Sequence, residues 1–339
     1  WGGVRRLPTA PETGHQMLRR GLRNVNRYLL VFAIAVSLNF ILPRLMPGNP
    51  LALIAGVDVG LMTPAERAEL IEQVGLNEPL LAQFFDYWKS VLTFDLGYSY
   101  RSGRSIAEMI GERLPWTLLI TLGSLMIASV IGIILGGLSA WRRGKKTDLS
   151  LLTGMISLQS LPSFWLGMLL ISIFAVQLGW LPSFGAETPA SGYVGWERVR
   201  DILEHAILPI ITLTILSIPG AYLTMRYAML EVLGSDFIRT ARSKGASERR
   251  VLFGHVARNA IAPVVTFLAI RFAFAFGGSV IIETVFSYPG LGRLIFESVS
   301  GRDYPVMQAA FLVFTVAVLV ANLFADMMYP ILDPRMRVR

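Results

Sequence analysis

Six stretches of the chain stay apolar for about twenty residues or more, the length of helix that crosses roughly 30 Å of hydrocarbon. They cover residues 27–46, 115–140, 149–179, 205–228, 263–286 and 306–329. The pattern predicts an all-α membrane protein with six transmembrane helices. Pro162, Pro209 and Pro219 fall in or beside these runs and predict kinks, tolerable where neighbours or cavity water satisfy the freed carbonyls. Gly132, Gly136 and Gly137 place small residues at close spacing in the second run. Such residues let backbones approach in lipid, so bundle packing is preferred here over solute contact.

Between the first two runs the polar positions read as a small helical cap. Thr63 serves as N-cap, Pro64 as first helical residue, Glu66 closes a capping box, and Gly75 ends the helix. A second helix restarts at Asn77 and gathers Leu80, Phe84, Tyr87 and Trp88 on one face, against the bilayer or neighbouring spans. The chain divides into a basic N-terminus (1–28), the first span with the cap (29–114), a core (115–330) containing a polar loop at 229–262, and a tail (331–339). Arg19, Arg20, Arg23 and Arg27 precede the first run as they would a signal peptide. The cleavage-like Ala33-Ile34-Ala35 falls inside the apolar run instead of after it, so this span is expected to stay attached.

Composition agrees with the pattern. Of 339 residues, 53% are hydrophobic and 16% charged, with mean hydropathy +0.55, too apolar for a soluble domain with a polar surface. There is no cysteine, hence no disulfide, thiolate site or cysteine nucleophile. The net charge of +8 is unevenly placed. Segments 1–28, 141–148, 226–262 and 330–339 carry 20 Lys and Arg, whereas 45–114, 180–204 and 287–305 carry 9, beside 15 Asp and Glu. This alternation puts the basic connections and both termini in the cytoplasm.

The longest basic connection, DFIRTARSKGASERRVLFGHVARNAIAP from Asp236 to Pro263, admits three readings: nucleic-acid contact, a generic loop, or a docking surface. It lacks the aromatic stacking platform that nucleic acid favours. Asp236 is expected to cap a short helix through Lys244, Gly245 to end it in a left-handed conformation, and Ser247 to cap a second helix through Asn259. A capped helix, hinge and helix is more structure than a generic loop requires.

Asp236, Phe237, Ile238, Thr240, Ala241, Arg242, Lys244 and Gly245, followed by His255, Arg258, Asn259 and Pro263, resemble the signature loop of ABC importer permeases of the peptide/nickel family, B-type subunits. The broader permease motif begins Glu-Ala-Ala; here Thr240-Ala241-Arg242 stands instead, and the peptide branch is similar in that departure. LPRLMPGNP, GLNEPLLAQFFDYWKSVLTFDLGYS, ERLPWTLLITLG, SFWLGMLLISIFAVQLGWLPSFG, ETVFSYPGLGRL, RDYPVMQ and NLFADMMYPILDPRMR resemble further stretches of that family, in order. The resemblance implies a type I importer permease fold in the plasma (inner) membrane. Asp236, Thr240, Ala241, Arg242, Lys244, Gly245, Ala246 and Arg249 would belong to a coupling helix seated on an ATP-binding subunit. It further implies a homologous second permease, two ATP-binding subunits that hold ATP and Mg, and an extracytoplasmic solute-binding protein. The chain itself would bind no cofactor and no nucleic acid. Di- or oligopeptides lead among solutes, with oligosaccharides and nickel chelates as alternatives.

No phosphate-binding loop, zinc-binding His pair or nucleophile elbow occurs in the sequence, so ATP hydrolysis is expected elsewhere. His15, His205 and His255 are far apart, and no shared metal site is expected. Arg271 lies eight residues beyond Pro263, about 12 Å along a helix, and must face protein or water. It is read either as lining a translocation cavity or pairing with Asp326, which shares a helical face with Asn322, or, the preferred reading, as part of a structural interhelical pair with no solute contact. Glu283 and Arg293 flank the turn-forming TVFSYPGLG; the resemblance implies a place near an outer gate, while the residues alone read equally as a plain interfacial turn. A secondary transporter or channel and an intramembrane enzyme are the rivals of other classes; the latter needs convergent catalytic groups that the sequence does not show.

Overall fold

The computed structural model describes residues 14–45, 63–65, 77–275 and 279–332. Among them the regular elements are helical, with one isolated antiparallel bridge, Tyr98 to Ser105. The main elements are α1 (Gly14–Arg44), α2 (Leu80–Thr93), α3 (Ile106–Trp141), α4 (Lys146–Gln159), α5 (Ser163–Leu170, prolonged by a π-helical stretch Ile171–Gln177) and α6 (Trp196–Leu233). Then follow α7 (Asp236–Ser243), α8 (Glu248–Arg250, joined through a π-helical stretch Val251–Ala257 to α9), α9 (Arg258–Ala275), α10 (Val280–Val285), α11 (Leu291–Ser300) and α12 (Tyr304–Leu332).

Among the described residues, every apolar run falls largely on helix. Ile106–Trp141, Trp196–Leu233 and Glu248–Phe272 are each long and apolar enough to cross a membrane. Lys146–Gln159 with Ser163–Gln177 makes a fourth span if its 97° bend lies within one crossing; Asn26–Leu42 and Tyr304–Val320 are shorter apolar stretches. The bend falls where a kink was predicted. Pro162 takes an extended backbone (φ −62°, ψ 131°) ahead of α5, and Leu161, preceding a proline, is disfavoured in helix. Pro209 and Pro219 instead lie inside the unbroken α6.

The core is built on α3 and α6. A Cβ on Gly132 would lie 2.6 Å from Ala221 Cβ, and one on Gly136 would strike the Tyr222 carbonyl. At Gly137 the nearest atom is Met229 Sδ at 3.3 Å, so the first two glycines set the approach. Outside this core, α2 begins at Leu80, three residues later than the expected Asn77, because Pro79 holds an extended conformation (ψ 142°) at the N-cap position. Phe84 meets Phe40 edge-on at 5.2 Å, Trp88 meets Phe32 at 6.2 Å, and Asn39 Nδ2 donates to Tyr87 Oη at 2.9 Å. The cap therefore leans on α1, whereas Leu80 is 65% exposed. Helix begins at Pro64 as expected; Glu66 and Gly75 lie outside the described residues.

Candidate functional site

The polar connection after α6 is a helical hairpin, α7 and α8 joined through Gly245. Ser235, not Asp236, occupies the N-cap position, with extended backbone (φ −77°, ψ 149°), and Asp236 is already helical. Its carboxylate still sits at the positive end of the helix. Ser235 Oγ donates backward to the Val232 carbonyl at 2.5 Å and does not cap α7. At the other end Gly245 adopts φ +78°, and Gly245 N–H and Ala246 N–H donate to the carbonyls of Arg242 (2.9 Å) and Ala241 (3.2 Å). That pair of bonds is a Schellman stop. Ser247 precedes Glu248 with an extended backbone but makes no side-chain cap bond. The second helix does not end at Asn259; it runs through the π-helical stretch into α9.

Two features hold the hairpin's angle. Arg242 Nε and Nη2 donate to Glu248 Oε1 and Oε2, each at 3.0 Å, bridging the glycine hinge. Ile238, Val251 and Val256 are fully buried against Ala140, Met225 and Met229 at the base of α3 and α6. The opposite surface carries Asp236, Thr240, Lys244 and Arg249, all exposed, while Ala241 and Ala246 are half-buried. Glu248 was not singled out in the sequence, although an acid six residues beyond an arginine across a predicted hinge is a readable cue.

Beside the hairpin lies an ion pair that sequence reading missed. Asp148 (5% exposed) accepts from Arg226 (8% exposed) Nε at 2.9 Å and Nη2 at 3.1 Å, from Ser139 Oγ at 2.5 Å and from Gly144 N–H at 3.0 Å. Tyr222 Oη lies 2.7 Å from Ser139 Oγ. The group ties the tight turn between α3 and α4 to the helix that feeds the hairpin. Arg226 belongs to the apolar run 205–228, and a charge inside a span was the available signal.

Toward the other end, Glu283 is fully buried. Its carboxylate accepts from Thr117 Oγ1 and from Arg293 N–H, both at 2.9 Å, while Leu291 N–H donates to Thr117 Oγ1 at 2.7 Å. A Cβ on Gly290 would strike that carboxylate, and one on Gly292 would lie 3.0 Å from it. The Pro-Gly-Leu-Gly turn is thus wrapped around Glu283. The Arg293 guanidinium points elsewhere, to Glu297 Oε1 (2.8 Å) and the Ser287 carbonyl (2.6 Å).

Arg271 is exposed on α9, 5.4 Å from the Phe267 ring centroid, and lines a cleft with Thr121, Ser124 and Ser217. Asn322 is half-buried on α12; the side chain of Asp326, and with it the predicted pairing to Arg271, lies outside the described residues. The candidate positions therefore separate into three places: the hairpin, the Glu283 turn and the Arg271 cleft.

Residues 128–338 match the family model of the binding-protein-dependent transport system inner membrane component. The chain belongs to that family. This permease is 40% identical to the oligopeptide transport system permease of Bacillus subtilis, over 88% of this chain and 92% of that one. It is 36% identical to the dipeptide transport system permease of Alkalihalophilus pseudofirmus (92% and 98% covered) and 38% identical to the glutathione transport system permease of Escherichia coli K12 (91% and 95%). A chain of the inward-facing MetNI methionine ABC transporter matches with TM-score 0.54 at 20% identity, covering 67% of this permease and 97% of itself. The fold is that of an ABC importer permease, and the protein is a multi-pass transport subunit, not an enzyme.

Proposed function

We propose that this permease forms one half of the pathway of an ATP-driven importer of di- or oligopeptides. It crosses the inner membrane six times with both termini in the cytoplasm. A homologous permease supplies the other half, an extracytoplasmic binding protein delivers the solute, and two ATP-binding subunits with ATP and Mg drive the cycle. The relatives named for oligopeptide, dipeptide and glutathione transport support the peptide class over oligosaccharides or nickel chelates.

The observation that carries this reading is the construction of the 236–262 hairpin. Its tip is polar and exposed, its angle is held by the Schellman stop and the Arg242–Glu248 bridge, and its root is buried among residues of α3 and α6. A displacement at the tip therefore passes to the spans as rigid-body movement and exchanges outward- and inward-facing states. Asp236, Thr240, Arg242, Lys244, Gly245 and Arg249, with Ala241 and Ala246, form the surface on which an ATP-binding subunit seats. Glu283 anchors the outer turn, and Arg271, Asn322 and Asp326 lie toward the pathway.

Introducing Ala246→Cys in the assembled transporter tests the docking. A short bifunctional crosslinker is expected to capture an ATP-binding subunit, with a yield that changes between nucleotide-free and ATP-trapped states. Absence of any such product, in a complex that still imports, overturns the assignment. Mass spectrometry of solute retained by the binding protein tests the solute class, with peptides expected.

A further inference from the structure

The cleft bounded by α3, α6 and α9 encloses about 280 Å³, and among the described residues Arg271 is the single charged one in its wall. The hydroxyls of Thr121 and Ser124 are committed, donating to the carbonyls of Thr117 (2.6 Å) and Thr121 (2.9 Å). Those of Ser217 and Ser279, which also line the cleft, make no hydrogen bond among the described residues. Nor is any carboxylate of the described residues within ion-pair distance of Arg271. The guanidinium has a built seat: it stacks near Phe267, and Gly220 leaves the room, since a Cβ there would come 2.8 Å from Phe267 Cζ and 3.5 Å from Arg271 Nη2.

A cation along a span with no counter-charge among the described side chains is costly unless a ligand supplies one, and such residues mark solute or ion paths. The planar guanidinium matches the two oxygens of a carboxylate in bidentate fashion, and Ser217 and Ser279 add donors beside it. A dianionic phosphate would call for a second cation, and the described wall offers none. Nor do its described residues include an acid to hold an ammonium group. We propose that this cleft is a carboxylate-binding site on the translocation path and that its ligand is the C-terminal carboxylate of the imported peptide. The site rests on the peptide-import reading above, and it has the peptide travel past Arg271 with its acidic end against α9.

The test uses the complete transporter in liposomes, with ATP inside and loaded binding protein outside. Uptake is compared for a tripeptide with a free C-terminus and for an amidated counterpart that the wild-type complex also carries. Arg271→Gln is expected to slow uptake of the free acid at least ~10-fold while the amide changes by less than about two-fold; Arg271→Lys, which keeps the charge but not the fork, should fall between. Equal slowing of both peptides, or of neither, overturns the site. Equal slowing with poorer co-purification of the second permease would also overturn it, by assigning the guanidinium's partner to that subunit. Should Arg271→Gln not assemble, Ser217→Val leaves the charge in place and must slow the free acid selectively, by about three-fold, or the proposal fails. If the wild-type complex carries neither peptide, the peptide-import reading itself falls, a result distinct from carriage without discrimination.

Discussion

Charges inside the apolar body differ in how far each is committed to neighbours, and that difference ranks their substitutions. Asp148 receives four hydrogen bonds, two of them from the buried Arg226. Removing one partner strands a buried ion, a loss of about 3–5 kcal/mol. Asp148→Asn or Arg226→Gln should therefore lower the thermal midpoint of the detergent-purified complex sharply, and the apolar double variant Asp148→Leu with Arg226→Met should recover most of it. The Arg242–Glu248 bridge is the contrasting case, with the two side chains 44% and 61% exposed. Its stability contribution is expected near ~0.5 kcal/mol, so Arg242→Ala should leave the midpoint almost unchanged while reducing ATP-coupled uptake through a loosened hinge. Arg271 and Glu283 were legible as charged residues within or beside apolar runs. Arg226 was counted with the basic connection as well as lying at the end of an apolar run, and Asp148 was not singled out, because hydropathy marks where a span ends and not which charge turns inward.

Glycines give the same lesson for helices. Gly136 faces the Tyr222 carbonyl, so Gly136→Val must push α3 from α6 and should abolish a folded, size-homogeneous complex on gel filtration. Gly154 in α4 meets nothing within 4 Å; Gly154→Ala should be neutral or raise stability by up to about 1 kcal/mol through helix propensity. Gly245 matters for its backbone, not its space. A side chain there would meet no neighbour within 4 Å of its Cβ, but at φ +78° a β-branched residue is strained, by about 1–2 kcal/mol. Gly245→Val is expected to uncouple ATP hydrolysis from uptake, and Gly245→Asn, which tolerates the left-handed region, to retain most transport. Sequence spacing showed the hinge and the small-residue stripe, but it placed the α2 start at Asn77, because the extended Pro79 ahead of it was not weighed.

For the whole molecule, the alternating basic connections imply that the hairpin and the α5–α6 connection lie on opposite sides of the membrane. A membrane-impermeant maleimide should label Ser191→Cys in intact cells and reach Ala246→Cys only after lysis; the reverse pattern would invert the topology. By itself the sequence determined the apolar runs, the charge asymmetry and the glycine at the hinge. Each depends on a residue's own solvent preference or backbone freedom, properties carried locally along the chain. Only the tertiary structure decided that Asp148 meets Arg226 across 78 positions and that Glu283 is enclosed by Thr117 and the Pro-Gly-Leu-Gly turn. Hydrogen bonds and ion pairs are made over about 3 Å in space, and when two helices come from distant parts of the chain, their packing alone brings the partners within that reach.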